Sequence, residues 1–204
     1  MTKEVSAAHD RKRADCVHLI RSVISEELVD TYYTYARQHL MLPGYFKMEP
    51  EYLSMSRYAD GLGEALLEKL TPRIGEALGR DVLPSYSFLR FYTHGSVLSR
   101  HIDRPACEIT ATLALGPRVE NPWPIHVLDG GVEKTTLLSP GDILVFRGAK
   151  LPHWRDAYPG EHCLQLFLHY VFKDGDFSDY KYDKREYVGP LPMVAVTSDA
   201  EASE

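Results

Sequence analysis

Apolar and polar positions follow two different rhythms along this chain, and the rhythm changes at Pro84. Upstream, the segment CVHLIRSVI (16–24) alternates and is rich in β-branched residues, which predicts an opening strand. Ser25 followed by Glu26 and Glu27 has the form of an N-cap with an acidic first turn, so an amphipathic helix is expected from there to about Leu40. Met41 to Ser56 is punctuated by Pro and Gly and reads as a connection with a short strand at 52–56. A second helix is expected from Asp60, with Leu62, Leu66, Leu67 and Leu70 at helical spacing. Pro72 either kinks that helix or opens another one, and the helical rhythm stops near Gly79.

Downstream of Pro84 the period shortens to two. SYSFLRFY, VLSRHID, CEITATLAL, PIHVLD, EKTTLL, DILVFRG and HCLQLFLHYVF are short β-type runs separated by Gly, Pro and Asn turns. Many short strands at this spacing predict an all-β sandwich or barrel, with the two preceding helices covering one outer face. The last run leaves its orientation open. Cys163, Gln165, Phe167 and His169 share one face, and Leu164, Leu166, Leu168 and Tyr170 share the other. We expect a tail at 1–13, a single domain over 14–190 and a C-terminal tail at 191–204.

Composition narrows the classes of partner. The chain has 204 residues with 44% hydrophobic content and a net charge of −6, the values of a globular domain. The acidic balance argues against nucleic acid or an anionic membrane surface as the main partner. No apolar run is long enough for a transmembrane helix, and the charged N-terminus does not resemble a secretory signal. Three widely spaced cysteines suit a reducing compartment, so a soluble cytoplasmic protein is expected. Oligomeric state is not legible at this level.

The candidate chemistry centres on His101-Ile102-Asp103. In an extended segment, residues i and i+2 share a face, so one short strand can offer an imidazole and a carboxylate together. His153 follows the apolar run Ile143–Phe146 and its preceding turn Ser139-Pro140-Gly141-Asp142, which can place it at a barrel mouth. Two His and one carboxylate on one face form the ligand set of non-heme Fe(II) oxygenases. With nine His and 29 acidic residues, about one His-x-acid spacing is expected by chance, so the surrounding pattern has to carry the assignment.

That pattern is Tyr92-x-x-Gly95, then His101-x-Asp103, then Pro140-Gly141-Asp142 leading into a strand and His153. It resembles the 2-oxoglutarate- and Fe(II)-dependent dioxygenases, in particular their prolyl 4-hydroxylase-like branch, over roughly residues 16–172. The resemblance implies a double-stranded β-helix: mainly β, a jelly-roll or cupin-like barrel with the N-terminal helices packed on one face. It also implies Fe(II) on His101, Asp103 and His153 as the catalytic centre, with 2-oxoglutarate and O2 as cosubstrates and Tyr92 hydrogen-bonding the 2-oxoglutarate. The implied reaction hydroxylates an unactivated C–H bond of an amino acid, a peptidyl residue (proline first) or another small molecule, and releases succinate and CO2. Because Asp103 is present, hydroxylation is expected rather than the halogenation of relatives with a small residue there.

One position departs from the family pattern. An Arg or Lys nine to eleven residues after the distal His usually binds the far carboxylate of 2-oxoglutarate, but here the window reads His162-Cys163-Leu164. His162, Arg155, Arg90 and Gln165 are the candidate replacements, and a guanidinium is the better physical partner because its planar fork grips a carboxylate with two bonds. The departure keeps two other readings open. One is a cupin-like metalloenzyme that does not use 2-oxoglutarate; the other is a non-catalytic barrel that binds a ligand.

Overall fold

A computed structural model describes residues 17–189; Cys16 and both expected tails lie outside them. Strand β1 (Val17–Ile20) and helix α1 (Glu26–His39) open the chain. The strand is shorter than expected: Arg21 to Ser25 form a turn, tied down by the Ser22 N–H and the Arg21 guanidinium on the Asp142 carboxylate. Ser25 caps α1 as its sequence implies, accepting from the Leu28 N–H at 3.3 Å. Strands β2 (Lys47–Glu49) and β3 (Ser54–Tyr58) pair antiparallel inside the connection expected to hold one strand at 52–56.

Helix α2 (Gly61–Leu78) runs continuously through Pro72. Burial of Leu66, Leu67 and Leu70 on one side of the proline and Ile74 on the other holds both halves against the sheet. Gly79 ends the helix at φ +62°, the left-handed conformation that glycine adopts without steric cost. Asp60 caps its start and is fully buried, accepting from the Gly63 N–H and from the hydroxyls of Tyr32, Tyr35 and Tyr45. Asp60→Ala removes a cap and strands the buried Tyr32 hydroxyl, so chemical denaturation should show a loss of about 2–4 kcal/mol.

The remaining strands are β4 (Val82–Thr93), β5 (Leu98–His101), β6 (Ile109–Gly116), β7 (Ile125–Asp129), β8 (Val132–Thr136), β9 (Ile143–Phe146), β10 (His153–Arg155) and β11 (His162–Phe172). They form two antiparallel sheets, a seven-stranded one ordered β1-β9-β6-β11-β4-β3-β2 and a four-stranded one ordered β5-β10-β7-β8. Pro84 lies inside β4 at a bulge, where a strand tolerates its missing N–H: Tyr86 faces His169 while Pro84 faces Tyr170.

Alternation assigns the faces of the large sheet. Ile109, Ala111, Leu113, Leu115, Leu164, Leu166 and Leu168 pack with residues of both helices in the main core. Thr110, Thr112, Cys163, Gln165, Phe167 and His169 therefore face the other way, between the sheets. This resolves the orientation of the last strand: its Leu face meets the helices, and its mixed face lines the interior.

Candidate metal centre and anion pocket

His101 ends β5 and His153 begins β10, and the two residues are direct register partners across the small sheet. Their rings lie 4.3 Å apart between centroids. Asp103 Oδ1 is 3.4 Å from His101 Nε2 and 3.7 Å from His153 Nε2, so three potential ligand atoms converge. Each imidazole is oriented from behind: Nδ1 of His101 lies 2.7 Å from the Ser99 carbonyl, and Nδ1 of His153 lies 3.0 Å from the Leu151 carbonyl. A carbonyl can only accept, so Nδ1 carries a hydrogen in each ring and Nε2 is the nitrogen that faces the convergence point.

Two of the three groups are held in the forms that suit a cation, and the third, His101, carries a proton that a cation would displace. The hydrogen bond with Asp103 raises the His101 pKa, while burial lowers that of His153. Burial alone would push the Asp103 carboxyl up. The hydrogen bond from His101, the fields of His169 and His153, and the Thr110 hydroxyl outweigh burial and hold it well below the ordinary carboxylate range. A partly buried carboxylate and a neutral imidazole are the forms that ligate a metal.

Gly148 provides the space for this carboxylate. A Cβ at Gly148 would run into Asp103 Oδ2, Thr110 Oγ1 and the Cys107 carbonyl at once. Its own carbonyl accepts from the Asp103 N–H at 2.9 Å, fixing the segment from the backbone side. Gly148→Ala should cost roughly 1–3 kcal/mol of stability through overpacking. It should also weaken metal uptake measured by calorimetry, because Asp103 and its hydrogen-bond partner Thr110 are the side chains in the way.

The centre opens into a cavity of about 350 Å³, near the lower end for small-molecule sites. Its walls include Tyr52, Tyr86, Phe88, Arg90, Tyr92 and Phe167. Arg90 is stacked among the rings of Tyr52, Phe88 and Tyr92 and bonds Glu49 at 2.6 Å, so its charge is already paired.

Arg155 differs. It is 1% exposed and two residues beyond His153, pointing inward from the same strand. Its guanidinium donates to the Trp123 carbonyl at 2.6 Å, lies 3.5 Å from Gln165 Oε1 and stacks on the Trp123 ring. Among the described residues no carboxylate pairs with it, and its Nε is buried without a hydrogen-bond partner, as is that of Arg90. Burial pushes the Tyr92 phenol up, opposed by Arg90, which also hydrogen-bonds it, and by Arg155. A buried cation with no counter-charge is costly unless an anion completes it.

The four candidate anchors separate accordingly. Arg155 and Gln165 are buried between the sheets next to Trp123 and Cys163, behind the residues that line the cavity, and the field of Arg155 reaches the Cys163 thiol, in the window where the resemblance led one to expect Arg or Lys. Arg90 lines the cavity but is paired with Glu49. His162 is excluded as an anchor. It projects to the helix side, stacked on Phe91 and hydrogen-bonded to the Tyr33 hydroxyl.

Trp154, by the alternation of β10, points to the face opposite His153 and stacks on His126. Arg104 grips Asp183 with two bonds, and Glu108 binds Arg147. The segment Ser178–Lys184 is thereby a docked strap: Tyr58 also donates to Asp183, and Arg185 just beyond it reaches the buried Glu64.

No family model matches the chain, and no curated protein matches it. Solved structures do. A prolyl-4-hydroxylase from Pseudomonas putida superposes with a TM-score of 0.64 at 17% identity, over 81% of this chain and 97% of that one. The non-heme α-ketoglutarate-dependent epimerase SnoN of nogalamycin biosynthesis gives 0.64 at 18% identity, over 82% of each chain. HygX from Streptomyces hygroscopicus, solved with nickel, 2-oxoglutarate and hygromycin B bound, gives 0.59 at 13% identity, over 83% of this chain and 87% of that one. These likenesses establish the fold, the double-stranded β-helix that the resemblance implied.

Proposed function

We propose that this protein is an Fe(II)- and 2-oxoglutarate-dependent oxygenase that hydroxylates an unactivated C–H bond of a small molecule or an amino-acid residue. The observation that carries the reading is the pairing of two features in one barrel: the convergent His101, Asp103 and His153, and the buried Arg155 near Tyr92, with no carboxylate paired to it among the described residues. The first offers one carboxylate and two imidazoles, the donor set of a non-heme iron site with open positions. The second offers a cation and a hydroxyl donor with no protein anion to occupy them.

In this account His101, Asp103 and His153 hold Fe(II), which supplies the oxidative chemistry with O2 and 2-oxoglutarate when bound. Arg155 and Tyr92 receive the distal carboxylate of 2-oxoglutarate, with Gln165 orienting the guanidinium. The aromatic walls from Tyr86, Phe88 and Phe167 exclude water and shape the space left for substrate. That the neighbours include both a hydroxylase and an epimerase is consistent with a shared cofactor arrangement serving different substrates.

Turnover of 2-oxoglutarate to succinate, assayed with Fe(II) and O2, tests the reading. Formation that requires Fe(II) and is lost in the Asp103→Ala variant is expected. Metal binding with no 2-oxoglutarate binding would transfer the assignment to a cupin-like metalloenzyme.

A further inference from the structure

The reading above treats Asp103 as one ligand, yet its two oxygens have different surroundings. Oδ1 faces both imidazoles. Oδ2 faces away from them, accepting from the Thr110 hydroxyl at 2.5 Å. Thr110 is 3% exposed and has a second contact, His169 Nδ1 at 3.2 Å from its Oγ1. A hydroxyl carries one hydrogen. Since a carboxylate only accepts, that hydrogen goes to Asp103, and Thr110 must accept from His169 Nδ1–H. The direction of the chain is therefore fixed: His169 donates to Thr110, and Thr110 donates to Asp103 Oδ2.

This chain is built into the fold. Thr110 is on β6 and His169 on β11, paired in register. His169 is itself held by the Tyr86 ring at 4.6 Å and is 6% exposed. Gly148 closes the remaining side of Oδ2.

We propose that Thr110, held by His169, is a positioning residue that occupies Asp103 Oδ2 and thereby confines the carboxylate to one-oxygen ligation through Oδ1. Freed of Thr110, Oδ2 can turn toward the cation and take a coordination position that 2-oxoglutarate needs. The proposal rests on the functional reading above. It makes a signed prediction that a merely structural role does not: removing the Thr110 hydroxyl weakens cosubstrate binding more than metal binding.

The test is Thr110→Val, which conserves shape, measured anaerobically against wild type. Fe(II) affinity is obtained by calorimetry, and 2-oxoglutarate affinity from the visible charge-transfer band of the metal-loaded protein. The expected result is 2-oxoglutarate binding weakened about tenfold, with Fe(II) affinity retained or increased. Thr110→Ser should restore wild-type behaviour. His169→Phe, which keeps a ring against Tyr86 but removes the donor, should move the two affinities apart in the same sense, and it decides the matter should the valine variant fail to fold. Equal losses of metal and 2-oxoglutarate, or no change in either, would overturn the assignment. If wild-type protein binds both ligands and Thr110→Val behaves identically, only this inference fails; if wild type takes up no Fe(II), the functional reading fails with it.

Discussion

Arg155→Met is expected to abolish the stabilisation that 2-oxoglutarate gives the metal-loaded protein while leaving the ligand-free fold intact. The guanidinium is buried to 1% exposure and has a carbonyl, an amide and an indole for company, but no carboxylate among the described residues. Truncating one partner of a buried hydrogen-bonded charge pair costs roughly 2–5 kcal/mol, or about 30-fold to several-thousand-fold in Kd. A ligand at a hundred times its Kd stabilises by about 2.7 kcal/mol, so wild type should show a clear upward thermal shift on adding 2-oxoglutarate to metal-loaded protein, and the variant almost none. Methionine has similar reach and no charge, so relief of the unpaired cation offsets the lost Trp123 contacts in the ligand-free state. Arg155→Lys keeps the charge without the planar fork and should fall between the two. An Arg90→Met variant that loses the shift while Arg155→Met retains it would move the anchor to Arg90.

His153→Ala should reduce Fe(II) affinity beyond the ~10–100-fold typical of removing a supporting partner, because it deletes a direct ligand. Burial lowers the pKa of His153, so it is neutral near pH 7 and ready to ligate without losing a proton. His101 is in the opposite position: its hydrogen bond to Asp103 raises its pKa, and metal has to displace that proton. Asp103, held low, stays ionised. Wild-type Fe(II) affinity should therefore rise with pH by about tenfold per unit below the His101 pKa, which lies above the ordinary imidazole value of about 6.5, and then level off. The metal-free protein has the opposite sign. A raised folded-state pKa contributes stability that is present below the unfolded value and lost as pH rises through the folded one. Calorimetric titrations across this range check both signs.

The strand rhythm after Pro84 and the helical spacing before it were sufficient for the two-layer barrel, because burial of one sheet face against two helices imposes those periods. Short elements were not legible. Strand β10 has three residues, too few to show alternation, although it carries both His153 and Arg155. The metal triad could be read because His101 and Asp103 sit two apart on extended chain, and the family pattern supplied the distant third member. The anchor could not be chosen from sequence, since whether Arg155, Arg90 or His162 faces the interior depends on the register of β4, β10 and β11. Gly148 and Thr110 gave no signal at all. Their roles follow from the lack of space and from a hydroxyl direction, and only packing reveals those.

The most direct measurement is an anaerobic Fe(II) titration with and without 2-oxoglutarate, followed by visible absorption. The account predicts a weak charge-transfer band that develops only when both are present, is absent in His153→Ala, and is lost or much weakened in Arg155→Met. Metal-loaded protein that gives no band at saturating 2-oxoglutarate would contradict it.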